Sequence, residues 1–263
     1  MLDRVLVLLK DIPDLDEIEI DPTTRKPDVS GASRRISDVD KRALEAALRL
    51  KEEYACEVAS VTVGDEKTEK AILQGLAMGA DSAFIVNDPD LEAIDALATS
   101  HILEAAIREI GDFDIILAGE LSLDSLGSQI GPRLSRLLDI PQISYVKDVD
   151  IINGKIRAVR DLEDFDEVVE SGFPVLLSVV REVNEPRIPS LMNIMKAKSK
   201  PITKWTCEEL GLTAEEVNAL TSVRILNVEA PVVERKKVKI EAETVDEAAL
   251  KLVEVLKEEG VLG

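Results

Sequence analysis

One strand-to-helix junction near the start of this chain has the composition of a phosphate-binding loop. Residues 58–63 form an apolar run, Gly64 follows it, and a helix is predicted to begin at Thr68. The first N–H groups of a helix have no acceptor within the helix, and the helix dipole favours a negative charge beside them. This junction is therefore a candidate site for a phosphate group.

A second segment of the same kind follows a later predicted strand. Residues 119–132 read GELSLDSLGSQIGP, and Pro132 suits the first turn of a helix. Residues 128–131 would then present backbone donors and two polar side chains at that helix start. Ligands of open α/β sheets bind beyond the carboxyl ends of the strands, where both segments fall. Neither segment is specific alone, since a glycine after a strand is more often an ordinary turn.

The common catalytic motifs are missing from the sequence. It has no Walker A sequence, no GxGxxG after the first strand, no GxSxG and no HExxH. His101 is the single histidine and falls in a predicted helix, so we interpret it as structural. Cys56 and Cys207 form no metal-binding pattern. We therefore predict neither a catalytic residue nor a metal site.

Residues 184–202, NEPRIPSLMNIMKAKSKPI, favour contact with another protein. Three prolines interrupt the segment, and its apolar residues follow neither a helical nor a strand period, so we predict an irregular loop. Such a loop has little packing reason to keep so many apolar and basic residues together. The candidate partner-binding residues are Arg187, Leu191, Met192, Ile194, Met195 and Lys196.

Alternating strands and helices must position these segments. Strands are predicted at 5–9, 58–63, 83–86, 114–118 and 174–180, and helices at about 38–54, 68–78, 95–110, 132–138, 214–220 and 245–258. The alternation predicts a doubly wound, mostly parallel α/β sheet. Asn153-Gly154 predicts a hairpin within it. Residues 14–35 are expected to form a long loop or small ribbon. We expect a nucleotide-binding domain at 1–183 and, at 184–263, the partner-binding loop and a C-terminal arm.

Composition excludes several classes of protein. The formal charge of −20 opposes binding to the phosphate backbone of nucleic acids. An apolar content of 45% is sufficient for a hydrophobic core and opposes a globally disordered chain. The apolar run near the N-terminus is too short for a signal peptide or membrane span, so we expect a cytoplasmic protein without direct membrane insertion.

Several stretches together resemble the electron transfer flavoprotein β subunit family. They are LLKDIPD (8–14), ALEAALRLKE (43–52), VTVG (61–64), GLAMGAD (75–81), DIILAGELSLDSLGSQIGP (114–132), RDLEDFDEVVESGFPVLLS (160–178) and NIMKAKSKPI (193–202). Phe165 is the one position of its stretch that falls outside the family signature. The resemblance runs over nearly the whole chain.

The resemblance implies a flavodoxin-like, adenine nucleotide alpha-hydrolase-like fold and a non-catalytic electron carrier. The family's β subunit pairs with an α subunit that holds most of an FAD. The β subunit itself binds AMP or, in electron-bifurcating members that oxidise NADH there, a second FAD. The implied partners are dehydrogenases, such as acyl-CoA dehydrogenases, and a downstream acceptor that can be a membrane quinone oxidoreductase. Leu191 would be the residue that docks on the dehydrogenase. The implied cofactor-binding positions are Leu8, Ser37, Val63, Gly64, Asp124, Ser128, Gln129, Ile130 and Gly131.

Departures from the family pattern leave the bound nucleotide open. Ser37 stands where the family commonly has Asn, and Leu126 and Gly127 stand where bifurcating members usually have Asp and Thr. Residues 129–132, QIGP, nevertheless resemble the QVGP of those members. Two other classes of protein share the fold. One is a stand-alone adenine-nucleotide module like a universal stress protein, which leaves residues 184–263 unexplained. The other is an ATP-pyrophosphatase-type enzyme, which would need SGGxDS after the first strand.

Overall fold

The computed structural model of the chain describes residues 2–232 and 236–262. Strands and helices alternate along most of this length. In chain order they are β1 (Arg4–Leu8), β2 (Asp11–Pro13), β3 (Glu19–Ile20), β4 (Pro27–Asp28), β5 (Arg34–Ile36), α1 (Asp38–Tyr54), β6 (Glu57–Val63), α2 (Thr68–Met78), β7 (Ser82–Val86), α3 (Ala96–Ile110), β8 (Ile115–Gly119), α4 (Ile130–Leu138), β9 (Gln142–Ile152), β10 (Lys155–Leu162), β11 (Phe165–Ser171), β12 (Val175–Val179), α5 (Leu191–Ala197), β13 (Ile202–Trp205), α6 (Ala214–Leu220) and α7 (Val245–Glu258).

The central sheet has nine strands in the order β11-β10-β9-β12-β8-β1-β6-β7-β13. The pairs from β9 through β12, β8, β1, β6 and β7 to β13 are all parallel. From β1 the chain builds outward through β6 and β7, then returns to the other side of β1 with β8. The strand order therefore reverses between β1 and β8, which confirms the predicted doubly wound α/β sheet.

Helices cover both faces of this sheet. Val5 and Val7 of β1 join a core cluster with residues of α1 and α2, while Leu6 and Leu8 join a second cluster with residues of α3 and α4. A strand buried on both faces needs apolar residues at every position, which explains the continuous run at 5–9. Residues 11–36 form two small antiparallel ribbons, β2–β5 and β3–β4, as the loop-or-ribbon prediction allows.

An antiparallel meander extends the sheet at one edge. β9 pairs with β12 over its first residues and with β10 over the rest, and Tyr145 lies at this change with φ 57°. The hairpin between β9 and β10 turns at Asn153 and Gly154, which both have positive φ, as predicted. β11 was not predicted, because three of the seven residues in its sequence FDEVVES are acidic and its outer edge faces solvent.

Residues 184–202 are more regular than predicted. They contain the seven-residue helix α5, whose Ser190 side chain accepts a hydrogen bond from the Asn193 N–H at 3.2 Å. The prediction of a wholly irregular loop is wrong because two turns of helix are too short to display a period. Ala197 is buried, whereas the other residues of α5 are exposed.

The chain after residue 200 adds a parallel strand that sequence analysis missed. β13 pairs with β7, and Cys207 and Val217 beyond it are buried in the core cluster under α3. The domain division at residue 183 remains a proposal, but residues 202–220 contribute to the same sheet and core as residues 1–183. From residue 223 the described chain carries many exposed apolar side chains, including Ile225, Leu226, Val245 and Leu250.

Candidate nucleotide site and partner-binding segment

Asp40 joins the ends of the two strands between which the sheet order reverses. It lies in the first turn of α1, and its carboxylate accepts the Lys10 N–H at 2.8 Å and the Gly119 N–H at 3.1 Å. Burial raises the pKa of Asp40 to about 7, although the two backbone N–H groups act in the opposite direction. Asp40 therefore joins the two sides of the crevice that a reversal of strand order creates between β1 and β8, where open α/β sheets bind ligands.

Lys10 holds the loop after β8 over this crevice. Its ammonium contacts the two carboxylate oxygens of Asp124 at 2.8 and 2.9 Å and the hydroxyl of Ser122 at 3.3 Å. Burial raises the pKa of Asp124, but the bonds from Lys10 and Ser122 outweigh it, so the pKa lies below its ordinary value. The loop thus keeps a charged carboxylate at the mouth of the crevice, next to a lysine that can approach an anion.

Ser37 provides the best test of whether a ligand group fits here. It is fully buried at the N-cap of α1, yet its hydroxyl has no hydrogen-bond partner and makes no cap. A buried hydroxyl without a partner costs free energy of about 1–3 kcal/mol, so such groups call for an explanation. A polar group of a nucleotide would satisfy this hydroxyl, and the residues present therefore fit the implied ligand.

Gly64 ends β6 beside a buried polar network. A Cβ at this position would lie 2.1 Å from Oγ1 of Thr68, so Gly64 is required for packing. The Thr68 hydroxyl donates to Asp11 at 2.8 Å and accepts the Asp65 N–H at 2.9 Å, and Arg34 completes the network with two bonds to Asp11. The first turn of α2 is thereby tied to the first residue of β2.

The loop before α4 has an uncommon backbone. Leu126 and Ser128 both have positive φ, at 50° and 48°, a region that residues other than glycine seldom adopt. Such residues concentrate at ligand-binding segments. The side chain of Gln129 accepts hydrogen bonds from Arg133, and Gly131 is buried where a Cβ would lie 2.9 Å from Nε2 of Gln142.

The structure brings most of the predicted cofactor-binding residues to the end of the sheet where the parallel strands have their carboxyl termini. Leu8 and Val63 are the last residues of β1 and β6. Residues 120–131 follow β8, and Ser37 lies at the adjoining start of α1. The side chain of Leu8 belongs to the core, so only its backbone could contact a ligand. The cofactor-binding role of these residues stays a prediction.

Sequence analysis missed the residues that hold the carboxyl ends of these strands together. Neither Asp40 nor Lys10 is among the candidate residues predicted from the sequence. Glu120 accepts a bond from the Ser178 hydroxyl at 2.5 Å and one from the Tyr145 N–H at 3.2 Å. The one available signal was a charged residue directly after two of the buried runs, Lys10 after Leu9 and Glu120 after Gly119, which does not reveal its partner.

The predicted partner-binding residues fall into two groups. Leu191 is 82% exposed, and Met192, Ile194, Met195 and Lys196 are also exposed on α5. Arg187 is instead engaged within the chain, with Nε 2.7 Å from Glu45 and Nη1 2.5 Å from Glu52. The exposed group can meet a partner directly, whereas Arg187 already has two acidic partners.

Among the described residues, no helix is long and apolar enough to cross a membrane. The same part of the chain shows no group of three or more His, Cys, Asp or Glu arranged to hold a metal ion.

The fold is a doubly wound α/β sheet whose strand order reverses between β1 and β8. Residues 29–210 match the family model described as the electron transfer flavoprotein domain. The chain belongs to the electron transfer flavoprotein β subunit family, as the resemblance of its motifs implied.

Relatives match over nearly the whole length. The chain is 35% identical over 261 residues to the electron transfer flavoprotein subunit beta of Thermoanaerobacterium thermosaccharolyticum, covering 98% of this chain and 100% of the relative. The same identity and coverage relate it to the caffeyl-CoA reductase-Etf complex subunit CarD of Acetobacterium woodii. The subunit beta of Bacillus subtilis is 36% identical over 214 residues, covering 81% of this chain and 82% of the relative.

Proposed function

We propose that this chain forms a heterodimer with an electron transfer flavoprotein α subunit and binds an adenine nucleotide at the crevice between β1 and β8. The heterodimer accepts electrons from dehydrogenases, such as acyl-CoA dehydrogenases, and passes them through FAD to a downstream acceptor. The observation that carries this proposal is the reversal of strand order between β1 and β8, where Asp40 joins the two strand ends and the buried hydroxyl of Ser37 has no partner.

The nucleotide in this subunit is AMP or a second FAD. Ser37, Asp124 and residues 128–131 would hold it, with Val63, Gly64 and the backbone of Leu8 at the neighbouring strand ends. Lys10 is the nearest cation to Asp124 and is suited to pair with a phosphate. When bound, a flavin supplies the redox chemistry, while the residues of the chain bind it and orient it.

The exposed face of α5 supports a protein partner. Leu191 and Met195 are each more than three-quarters exposed on a short helix that follows a proline-containing stretch and precedes Lys198 and Lys200. Large apolar side chains that project in this way are typical of anchors that enter a partner's pocket. One relative carries the name of a caffeyl-CoA reductase complex, which supports a partner that acts on acyl-CoA compounds.

The exposed apolar residues after position 222 support the second contact, with the α subunit. Leu226 is 91% exposed, and the extended chain at residues 225–230 is held to this subunit through Arg25, which pairs with Glu229 at 2.6 Å. Residues so exposed on a stable protein are expected to be covered in its complex.

Nucleotide content of the purified heterodimer tests the proposal. The chain is co-produced with its α partner, the complex is denatured, and the released FAD and AMP are quantified against protein. One FAD and one AMP indicate an electron shuttle, whereas two FAD indicate bifurcation with NADH oxidised near this subunit. Absence of both flavin and an α partner would overturn the proposal in favour of a stand-alone nucleotide-binding module.

A control uses the chain produced alone. If the α subunit holds the electron-carrying FAD, the isolated chain should retain AMP and lack stoichiometric flavin. Stoichiometric flavin in the isolated chain would instead place a second FAD in this subunit.

A further inference from the structure

Arg187 connects the start of the exposed segment 188–197 to the middle of α1. Its guanidinium donates to Glu45 through Nε at 2.7 Å and Nη2 at 3.1 Å, and to Glu52 through Nη1 at 2.5 Å. Its backbone N–H also reaches Glu45, at 3.1 Å. Glu45 is buried and would be left without its main cation if Arg187 moved.

The ionisation of this cluster follows from the same contacts. The hydrogen bond to Glu45 is the largest cause that raises the pKa of Arg187, and the hydrogen bond to Glu52 is the second. Burial raises the pKa of Glu45, but the bonds from Arg187 outweigh this and leave the pKa below its ordinary value. All three groups are therefore charged at neutral pH, and charge-assisted bonds of this kind are the strong ones.

The other end of the segment is fixed as firmly. The ammonium of Lys200 donates to the carbonyl oxygens of Leu76 at 2.9 Å and Ala80 at 2.5 Å, at the C-terminal end of α2. The Leu76 carbonyl lies in the last turn of α2, at the negative end of the helix dipole, so a cation suits the position. Ala197 packs into the core between the two ends.

We propose that Arg187 and Lys200 are positioning residues that hold segment 188–197 in its binding orientation before a partner arrives. The assignment rests on the proposed role of this segment in partner docking and moves Arg187 from the contact surface to the support beneath it. A preformed segment pays less conformational entropy on binding than a loop that must become ordered. Leu191 can then enter a partner's pocket without rearrangement of its own chain.

Amide hydrogen exchange of the purified heterodimer, without any dehydrogenase, tests the positioning role. Arg187→Gln is expected to speed exchange in residues 188–197 by about tenfold, because the segment opens locally. Glu52 is the more exposed of the two carboxylates that Arg187 contacts, so Glu52→Gln is expected to speed exchange in residues 188–197 by a smaller factor. Arg49→Gln is the matched control, since Arg49 is the other cation that contacts Glu45 and lies outside the segment.

Electron transfer from a dehydrogenase separates positioning from direct contact. Arg187→Gln should slow the reaction while leaving its dependence on ionic strength unchanged, and Arg187→Lys should restore part of the rate. Lys196→Gln, on exposed α5, should leave exchange unchanged and alter the ionic-strength dependence. The positioning role is overturned if Arg187→Gln leaves exchange in 188–197 unchanged. If Leu191→Ala does not slow the reaction, the docking function fails, whereas the exchange result still decides the positioning role.

Discussion

Gly119 and Asp40 are in direct contact at the point where the strand order reverses. The N–H of Gly119 donates to Asp40, and a Cβ on Gly119 would lie 2.4 Å from Oδ1 of Asp40 and 3.1 Å from the backbone of α1. The end of β8 can therefore approach the start of α1 only if residue 119 is glycine. The same contact fixes where the loop over the crevice begins.

Gly119→Ala is predicted to destabilise the protein, because backbone atoms of α1 cannot move away as a flexible side chain could. We expect a loss of about 2–3 kcal/mol in the free energy of unfolding, the range of overpacked positions. Urea denaturation measures it. Gly172→Ala is the control, since nothing lies within 4 Å of a Cβ there. Equal stability of the two variants would contradict the contact.

Asp40→Asn is predicted to change how stability depends on pH. The pKa of Asp40 is raised from 3.8 to about 7 by burial. The folded protein thus holds a proton that the unfolded chain releases. The stabilisation that this proton gives the folded state is present in full below about pH 4 and is lost as pH rises through about 7. Asn cannot titrate, so the stability of the native protein minus that of the variant should fall by up to about 1.4 kcal/mol per pH unit in this interval.

Urea midpoints of both proteins between pH 4 and pH 8 give this difference directly. Other carboxylates contribute equally to the two proteins and cancel. A difference that stays constant, or that rises with pH, would show that the two N–H groups of Lys10 and Gly119 keep Asp40 ionised throughout.

Leu191→Ala is predicted to slow electron transfer from a partner dehydrogenase by about tenfold or more, the effect of truncating an interface anchor. Flavin content and stability should not change, because the side chain is 82% exposed. Stopped-flow flavin reduction measures the rate. Ile20→Ala, an exposed aliphatic residue on β3, is the control and should react as the native protein does. An unaltered rate for Leu191→Ala would remove its assignment as anchor.

Substitutions of Tyr145 are predicted to follow backbone preference rather than size. Tyr145 has φ 57° and is 43% exposed, and its N–H donates to Glu120. Glycine adopts this conformation freely, whereas a β-branched residue is strained there. Tyr145→Val should therefore be less stable than Tyr145→Gly by about 1–2 kcal/mol. Denaturation midpoints in the opposite order would show that ring contacts dominate.

Local sequence was sufficient for most of the fold. The bounds of α2, α6 and α7 agree with prediction, because α2 ends at Gly79 and because α6 and α7 begin at the capping residues Thr213 and Thr244. The buried parallel strands were visible as continuous apolar runs. β11 and β13 were not visible, because a short strand at the sheet edge carries too little pattern. α5 was not visible, because it lacks the capping box of Thr213 and Glu216 that marks α6, a helix of equal length.

The candidate site shows the same division. The sequence by itself determined the alternation of strands and helices, the two glycine-containing loops at strand ends and the family, because these depend on residues close together in the chain. Only the tertiary structure decided that Asp40 joins β1 to β8, that Lys10 holds Asp124, and that Arg187 pairs with Glu45. These contacts join residues 30 to 142 positions apart. No local pattern specifies such a partner, because it is chosen by how the strands and helices pack.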